Sequence, residues 1–161
     1  MKPKLYMEST IPSYYAAWPS RELVTAAHQR MTRDWWTSRL HDFDVYVSQI
    51  VIDEIGAGDR EMARQRLELI RPFPTLASTE EVIALAEDLV RAGPLPAKAA
   101  RDAAHIAHSA VHGMHFLLTW NCTHIANAEM LEKIGEVCGR HGLKTPAMCT
   151  PGELMGGTSH D

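Results

Sequence analysis

Short apolar segments alternate with longer amphipathic ones along nearly the whole chain, and this alternation is the strongest constraint on its fold. Strand character is found in residues 4–8, 45–48, 71–75, 116–119 and 146–149. Helical character is found in residues 20–41, 50–55, 60–69, 78–91, 97–112 and 126–140. Strands that alternate with helices are typical of parallel sheets covered on both faces. We therefore predict a three-layer α/β/α domain with a central, mainly parallel sheet of about five short strands.

The ends of these segments carry local signals. Ser20 and Ser48 precede helical segments and are predicted N-caps, and Gly113 follows one as a predicted C-terminal cap. Prolines in residues 71–75 remove backbone donors, which predicts the edge of the sheet for that segment. The chain has no repeat, linker or low-complexity block. We predict one domain over residues 1–155 and a flexible C-terminal tail over residues 156–161.

Charge and cysteine usage narrow the class of protein. The formal net charge is −4, whereas a protein that coats DNA without sequence preference is basic. The three cysteines have no CxxC spacing, which predicts reduced thiols in a cytoplasmic protein. No apolar run approaches the ~20 residues that a membrane-spanning helix needs. The charged N-terminus is not followed by the apolar region of a signal peptide.

Three acidic residues lie at the ends of predicted elements. Glu8 closes the first strand, Glu54 lies in the short helix after the second strand, and Asp102 lies near the start of a later helix. Open α/β sheets build their sites at the carboxyl edge, and carboxylates gathered there repel one another unless a cation lies between them. Mg²⁺ and Mn²⁺ suit such oxygen ligands. The pattern predicts a metal-dependent hydrolase of phosphodiesters.

Each acid also has a purely structural interpretation. Glu8 is also compatible with a solvated surface position or with hydrogen bonds to the backbone of Ser9 and Thr10. Asp102 in the first turn of a helix is favoured by the helix dipole alone. Asp53 competes with Glu54, since consecutive helical residues do not face the same way.

Four segments, in order, resemble those of PIN-domain nucleases, and most closely the VapC-type toxin ribonucleases of type II toxin–antitoxin systems. They are residues 5–10, 48–54, 101–107 and 117–124. The resemblance implies a PIN-like fold in which Glu8, Glu54 and Asp102 bind one or two Mg²⁺ or Mn²⁺ ions. It implies that Asn121 helps to position the metal or a water. It further implies an RNA substrate, a cognate antitoxin that blocks the site, and a homodimer.

The chain departs from the family pattern at two positions. Glu8 stands where the family has an aspartate, and the loop after Thr119 offers Asn121 and His124 instead of a fourth acid. Asn121 can supply a carbonyl oxygen, and His124 can donate to a phosphate oxygen or a leaving group. The missing acid favours the alternative of a catalytically silent PIN-like module that binds RNA or protein.

A cluster of histidines offers a second alternative. His108 and His112 are one helical turn apart, a spacing compatible with zinc, and His105 is three residues before His108. The chain has no HExxH arrangement. These histidines are therefore predicted to lie on the helix surface or to be partly buried, with a zinc-binding regulatory protein as the alternative.

Overall fold

A computed structural model describes residues 1–156 and confirms the three-layer α/β/α architecture. The strands are β1 (Lys4–Met7), β2 (Asp44–Ser48), β3 (Thr75–Leu76), β4 (Phe116–Leu118) and β5 (Ala147–Cys149). The helices are α1 (Thr10–Ala16), α2 (Leu23–Ser38), α3 (Gln49–Ile55), α4 (Arg60–Ile70), α5 (Glu80–Arg91), α6 (Ala100–Val111) and α7 (Ala128–Arg140). Two 3₁₀ turns, Leu40–Asp42 and Ala97–Ala99, follow α2 and precede α6.

The sheet is entirely parallel, with the strand order β3-β2-β1-β4-β5. The chain builds outward from β1 to β3 on one side and then returns to add β4 and β5 on the other. Such a reversal opens a crevice beyond the carboxyl ends of the two central strands, where α/β proteins bind ligands. Met7 of β1 pairs with Leu118 of β4, so Glu8 and Thr119 follow on adjacent strands at this crevice.

The central strand is covered on both faces. Leu5, Tyr6 and Met7 are all fully buried, although successive side chains of a strand point to opposite faces of the sheet. Parallel strands that are buried on both faces have continuous apolar sequences, without alternation of apolar and polar residues. Within the described residues, no helix is both long enough and apolar enough to cross a membrane.

The helix predicted over residues 20–41 is shorter at both ends than the sequence indicated. It begins at Leu23 because the side chain of Glu22 accepts hydrogen bonds from the backbone N–H groups of Val24 and Thr25. Ser20, the predicted N-cap, instead accepts the N–H of Glu22. The α-helix ends at Ser38, and the chain continues into the first 3₁₀ turn.

Other strand and helix boundaries differ from the predicted ones by a few residues, for local reasons. The edge strand β3 starts after Pro74, because proline cannot donate to the ladder. Helix α7 begins at Ala128, where the Asn127 side chain accepts the N–H of Glu129. Gly113 does follow α6, with a φ of +69°. The predicted tail covers residues 156–161, of which 157–161 lie outside the described residues.

Candidate metal centre

Glu8 is buried at the carboxyl end of β1, with 4% of its surface exposed. Its Oε1 accepts hydrogen bonds from the hydroxyl and the backbone N–H of Thr10 and from the Thr119 hydroxyl, the last at 2.7 Å. Its Oε2 accepts no hydrogen bond from residues 1–156. A buried carboxylate is costly unless it is paired, so the Oε2 atom is a ready ligand for a cation.

Glu54 reaches the same crevice from α3. Its Oε1 lies 2.6 Å from the Ser9 hydroxyl and 2.6 Å from Nε2 of His105. Burial opposes the negative charge, but the hydrogen bonds from His105 and Ser9, together with the positive charge of Arg101, outweigh it, and the pKa of Glu54 falls below its ordinary value. The carboxylate is therefore ionised at neutral pH. Asp53, the competing acid, is exposed and accepts a hydrogen bond from Gln49.

Ser48 is the N-cap residue of α3 by position, but its side chain makes no capping hydrogen bond. Its Oγ lies 2.7 Å from the hydroxyl of Tyr6. The Tyr6 hydroxyl also lies 2.6 Å from Nδ1 of His105. Burial raises the pKa of Tyr6 further above its ordinary value, and the negative charges of Glu8 and Glu54 add to this, so its hydroxyl remains protonated.

His105 and His108 are both buried, which corrects the prediction of surface or partly buried histidines. His105 lies beneath the acids, with none of its surface exposed. Ligand atoms of Glu8, Glu54 and His105 all lie within 4.8 Å of one another. In the sequence, His105 is one of several closely spaced histidines of α6, and this grouping hides its role. The usable signal was its position three residues after Asp102, on the same helical face.

Asp102 lies in the first turn of α6, one helical turn before His105. Its Oδ2 lies 3.0 Å from Nδ1 of His124, in the loop after β4. Its Oδ1 accepts no hydrogen bond from the described part of the chain. Asp102 is outside the group of three formed by Glu8, Glu54 and His105. The structure thus brings two of the three predicted acids together and pairs the third with His124.

Asn121 organises the loop that carries His124. Its Oδ1 accepts the backbone N–H groups of Thr123 and His124, at 3.2 and 3.0 Å. The backbone N–H of Asn121 donates to Oγ1 of Thr119, the residue whose hydroxyl donates to Glu8. The carbonyl oxygen predicted to position a metal or a water is therefore engaged in shaping the loop.

His108 and His112 do not assemble a zinc site within residues 1–156. Nδ1 of His108 bonds the Ala104 carbonyl, and Nε2 of His112 bonds the Ala77 carbonyl. Burial and the neighbouring His105 and His112 lower the pKa of His108, despite the opposing effect of the carbonyl. Among the described residues, the group of three or more possible ligands is Glu8, Glu54 and His105.

Comparison of the chain with protein-family models and with curated proteins found no match.

Proposed function

We propose that the chain is a divalent-metal-dependent endoribonuclease of the VapC toxin type. One observation carries the proposal. Glu8, Glu54 and Asp102 each have one carboxylate oxygen held by protein donors, and each has a second oxygen that accepts no hydrogen bond from residues 1–156. Anchored carboxylates with one unengaged oxygen are what a hard cation requires of its ligands.

The side chains fit Mg²⁺ or Mn²⁺. Glu8, Glu54 and Asp102 would supply oxygen ligands, with Oε2 and Oδ1 as the available atoms. A bound ion of this kind polarises a scissile phosphate and promotes ionisation of the attacking water. The chain contributes orientation: Thr10 and Thr119 hold Glu8, Ser9 holds Glu54, and His124 holds Asp102.

The partners follow from the resemblance. RNA is the proposed substrate, a cognate antitoxin is the proposed inhibitor, and the active form is a homodimer in the cytoplasm. All three cysteines, Cys122, Cys138 and Cys149, are free thiols, which is consistent with a reducing compartment. Light scattering of the purified protein tests the dimer independently of any activity.

Glu8 provides the sharpest test of the site, because its two conservative substitutions separate a metal ligand from a structural acid. Glu8→Asp keeps the charge and restores the family's usual residue, so Mn²⁺ binding and cleavage of single-stranded RNA should survive in part. Glu8→Gln keeps an oxygen for Thr10 and Thr119 but removes the anionic oxygen. We expect Glu8→Gln to weaken Mn²⁺ binding at least ~10-fold, measured by calorimetry, and to abolish cleavage.

The two variants also separate the alternatives. Equal Mn²⁺ affinity and cleavage in Glu8→Asp and Glu8→Gln would remove Glu8 from the site and overturn the mechanism. Wild-type protein that binds RNA but leaves it intact with Mn²⁺, as it does with chelator, is instead a catalytically silent binding module. Zn²⁺ should inhibit, since an oxygen-ligand site favours Mg²⁺ and Mn²⁺ for activity.

A further inference from the structure

We infer that His105 is a positioning residue that orients the Glu54 carboxylate toward the ion, through a one-directional chain of hydrogen bonds from Ser48 and Tyr6. The inference rests on the proposed function, since it assigns a role in the same metal site. It adds a buried residue that neither the resemblance nor the acid pattern identified.

The contact between His105 and Glu54 decides which atom carries the proton. Nε2 of His105 lies 2.6 Å from Oε1 of Glu54, so a proton lies between them. The Glu54 carboxylate is ionised at neutral pH, as carboxylates ordinarily are, and an ionised carboxylate only accepts. Nε2 therefore donates. The same oxygen accepts from the Ser9 hydroxyl, so two donors fix Oε1.

Nδ1, the other ring nitrogen of His105, sets the direction of the hydrogen bonds among Ser48, Tyr6 and His105. In a neutral imidazole with its proton on Nε2, Nδ1 is an acceptor. The Tyr6 hydroxyl, 2.6 Å away, then donates to Nδ1, and the Ser48 hydroxyl, 2.7 Å from Tyr6, donates to Tyr6. Tyr6, Ser48 and His105 are all fully buried, so no water competes for these bonds. These hydrogen bonds hold His105 in the tautomer that has its proton on Nε2, and Nε2 donates this proton to Glu54.

This arrangement excludes His105 as a direct ligand. A nitrogen that binds a metal presents a lone pair, but Nε2 uses its N–H to hold Glu54. With Oε1 fixed by His105 and Ser9, Oε2 is the oxygen of Glu54 that remains for the ion. Residues that orient a metal-binding side chain in this way typically change metal affinity roughly 10–100-fold when they are replaced.

Two amide substitutions form a matched pair. The side-chain amide introduced by His105→Gln extends to the place of Nε2, whereas the amide introduced by His105→Asn reaches only the place of Nδ1. We expect His105→Asn to weaken Mn²⁺ binding roughly 10–100-fold and His105→Gln to retain most of the wild-type affinity. Thermal unfolding of both variants monitors the fold. Equal Mn²⁺ affinities in the two folded variants would overturn the inference. A residue that acts only by packing gives no reason for His105→Gln to bind Mn²⁺ more tightly than His105→Asn.

Two measurements on the wild-type protein need no folded variant. Long-range ¹H–¹⁵N spectra of ¹⁵N-histidine-labelled protein should show one buried imidazole that keeps its proton on Nε2 with and without Mg²⁺. Pulsed electron paramagnetic resonance with Mn²⁺ should show no directly coordinated nitrogen. A Mn²⁺–nitrogen coupling, or loss of the Nε2 proton, would overturn the donor role while leaving the nuclease proposal intact. Failure of wild-type protein to bind Mn²⁺ would overturn both.

Discussion

Thr119 shows how much a single hydroxyl contributes at this edge of the sheet. It is fully buried, donates to Oε1 of Glu8 at 2.7 Å and accepts the backbone N–H of Asn121 at 2.9 Å. It thus joins the candidate metal ligand on β1 to the loop that follows β4. Valine has nearly the same shape but can make neither bond.

We expect Thr119→Val to lower the free energy of unfolding by about 1.5–3 kcal/mol, because a buried hydrogen bond to a charged group is lost. Urea denaturation in the presence of chelator measures the change without a contribution from metal. Thr123→Val, at an exposed position in the same loop, is the control and should be nearly neutral. Equal stability of wild type and Thr119→Val would contradict the assigned bond to Glu8.

At the scale of elements, two glycines differ in what the backbone requires of them, one just after a helix and one inside a helix. Gly113 follows α6 with a φ of +69°, a conformation that residues with a Cβ rarely adopt. A Cβ added there meets nothing within 4 Å, so its cost is conformational alone. Gly139 lies within α7, its φ is not positive, and a Cβ there also meets nothing within 4 Å.

The two glycines are therefore expected to respond in opposite directions. Gly113→Ala should destabilise the protein by about 1–2 kcal/mol, the cost of a left-handed residue with a side chain. Gly139→Ala should stabilise it by roughly 0.5–1 kcal/mol, because alanine lowers the entropy of the unfolded chain and favours the helix. Urea midpoints of the two variants measure both changes. Shifts of the same sign would contradict this account.

Helices α5 and α7 are linked by Asp88. Its Oδ1 lies 2.7 Å from Nη2 of Arg91 on α5, and its Oδ2 lies 2.7 Å from Nε2 of His141, which follows α7. The hydrogen bonds from Arg91 and then His141 lower the pKa of Asp88 from its ordinary value of 3.8. The charged form is thus favoured in the folded state more than in the unfolded state.

The sign of the pH dependence follows from this shift. The stabilisation by Asp88 is fully present above pH 3.8 and is lost as the pH falls through the lower pKa of the folded state. Asp88→Asn should therefore be slightly less stable than wild type near neutral pH, with a difference that vanishes in acid. Chemical denaturation across this range checks it. The control is Glu132→Gln, which removes an exposed acid of α7 that makes no side-chain hydrogen bond or ion pair within residues 1–156.

Over the whole molecule, metal binding at the proposed site would raise the stability of the folded protein. Glu8 follows β1 and Glu54 lies on α3, and the two carboxylates meet only in the folded chain, so an ion that they bind would stabilise the native state. Free Mn²⁺ at 100 times its Kd should contribute about 2.7 kcal/mol. For a domain of this size that corresponds to a rise in Tm of roughly 5–10 °C.

Differential scanning calorimetry with increasing Mn²⁺ measures the rise, and chelator should reverse it. Glu8→Gln should unfold at the same temperature as wild type or slightly higher without metal, because one of the repelling charges is gone. It should then gain much less from Mn²⁺. A Tm that rises equally in both proteins would indicate that the ion binds elsewhere.

The sequence by itself determined the alternation of strands and helices, the parallel sheet and the left-handed position of Gly113. These features depend on apolar periodicity and on residues close together in the chain. It also placed Glu8 at a strand end, since polar residues end an apolar run. Even local signals failed where two residues competed, as when Glu22 capped α2 in place of the predicted Ser20.

Only the tertiary structure decided which side chains meet. Thr119 and Glu8 are 111 residues apart, His105 and Glu54 are 51 apart, and His124 and Asp102 are 22 apart. Their contacts arise because the strand order places β4 beside β1 and because α3 packs against α6. The periodicity of a sequence reports which face of its own element a residue occupies. It carries no information on which element lies opposite, so the contact between His105 and Glu54 cannot be predicted from it.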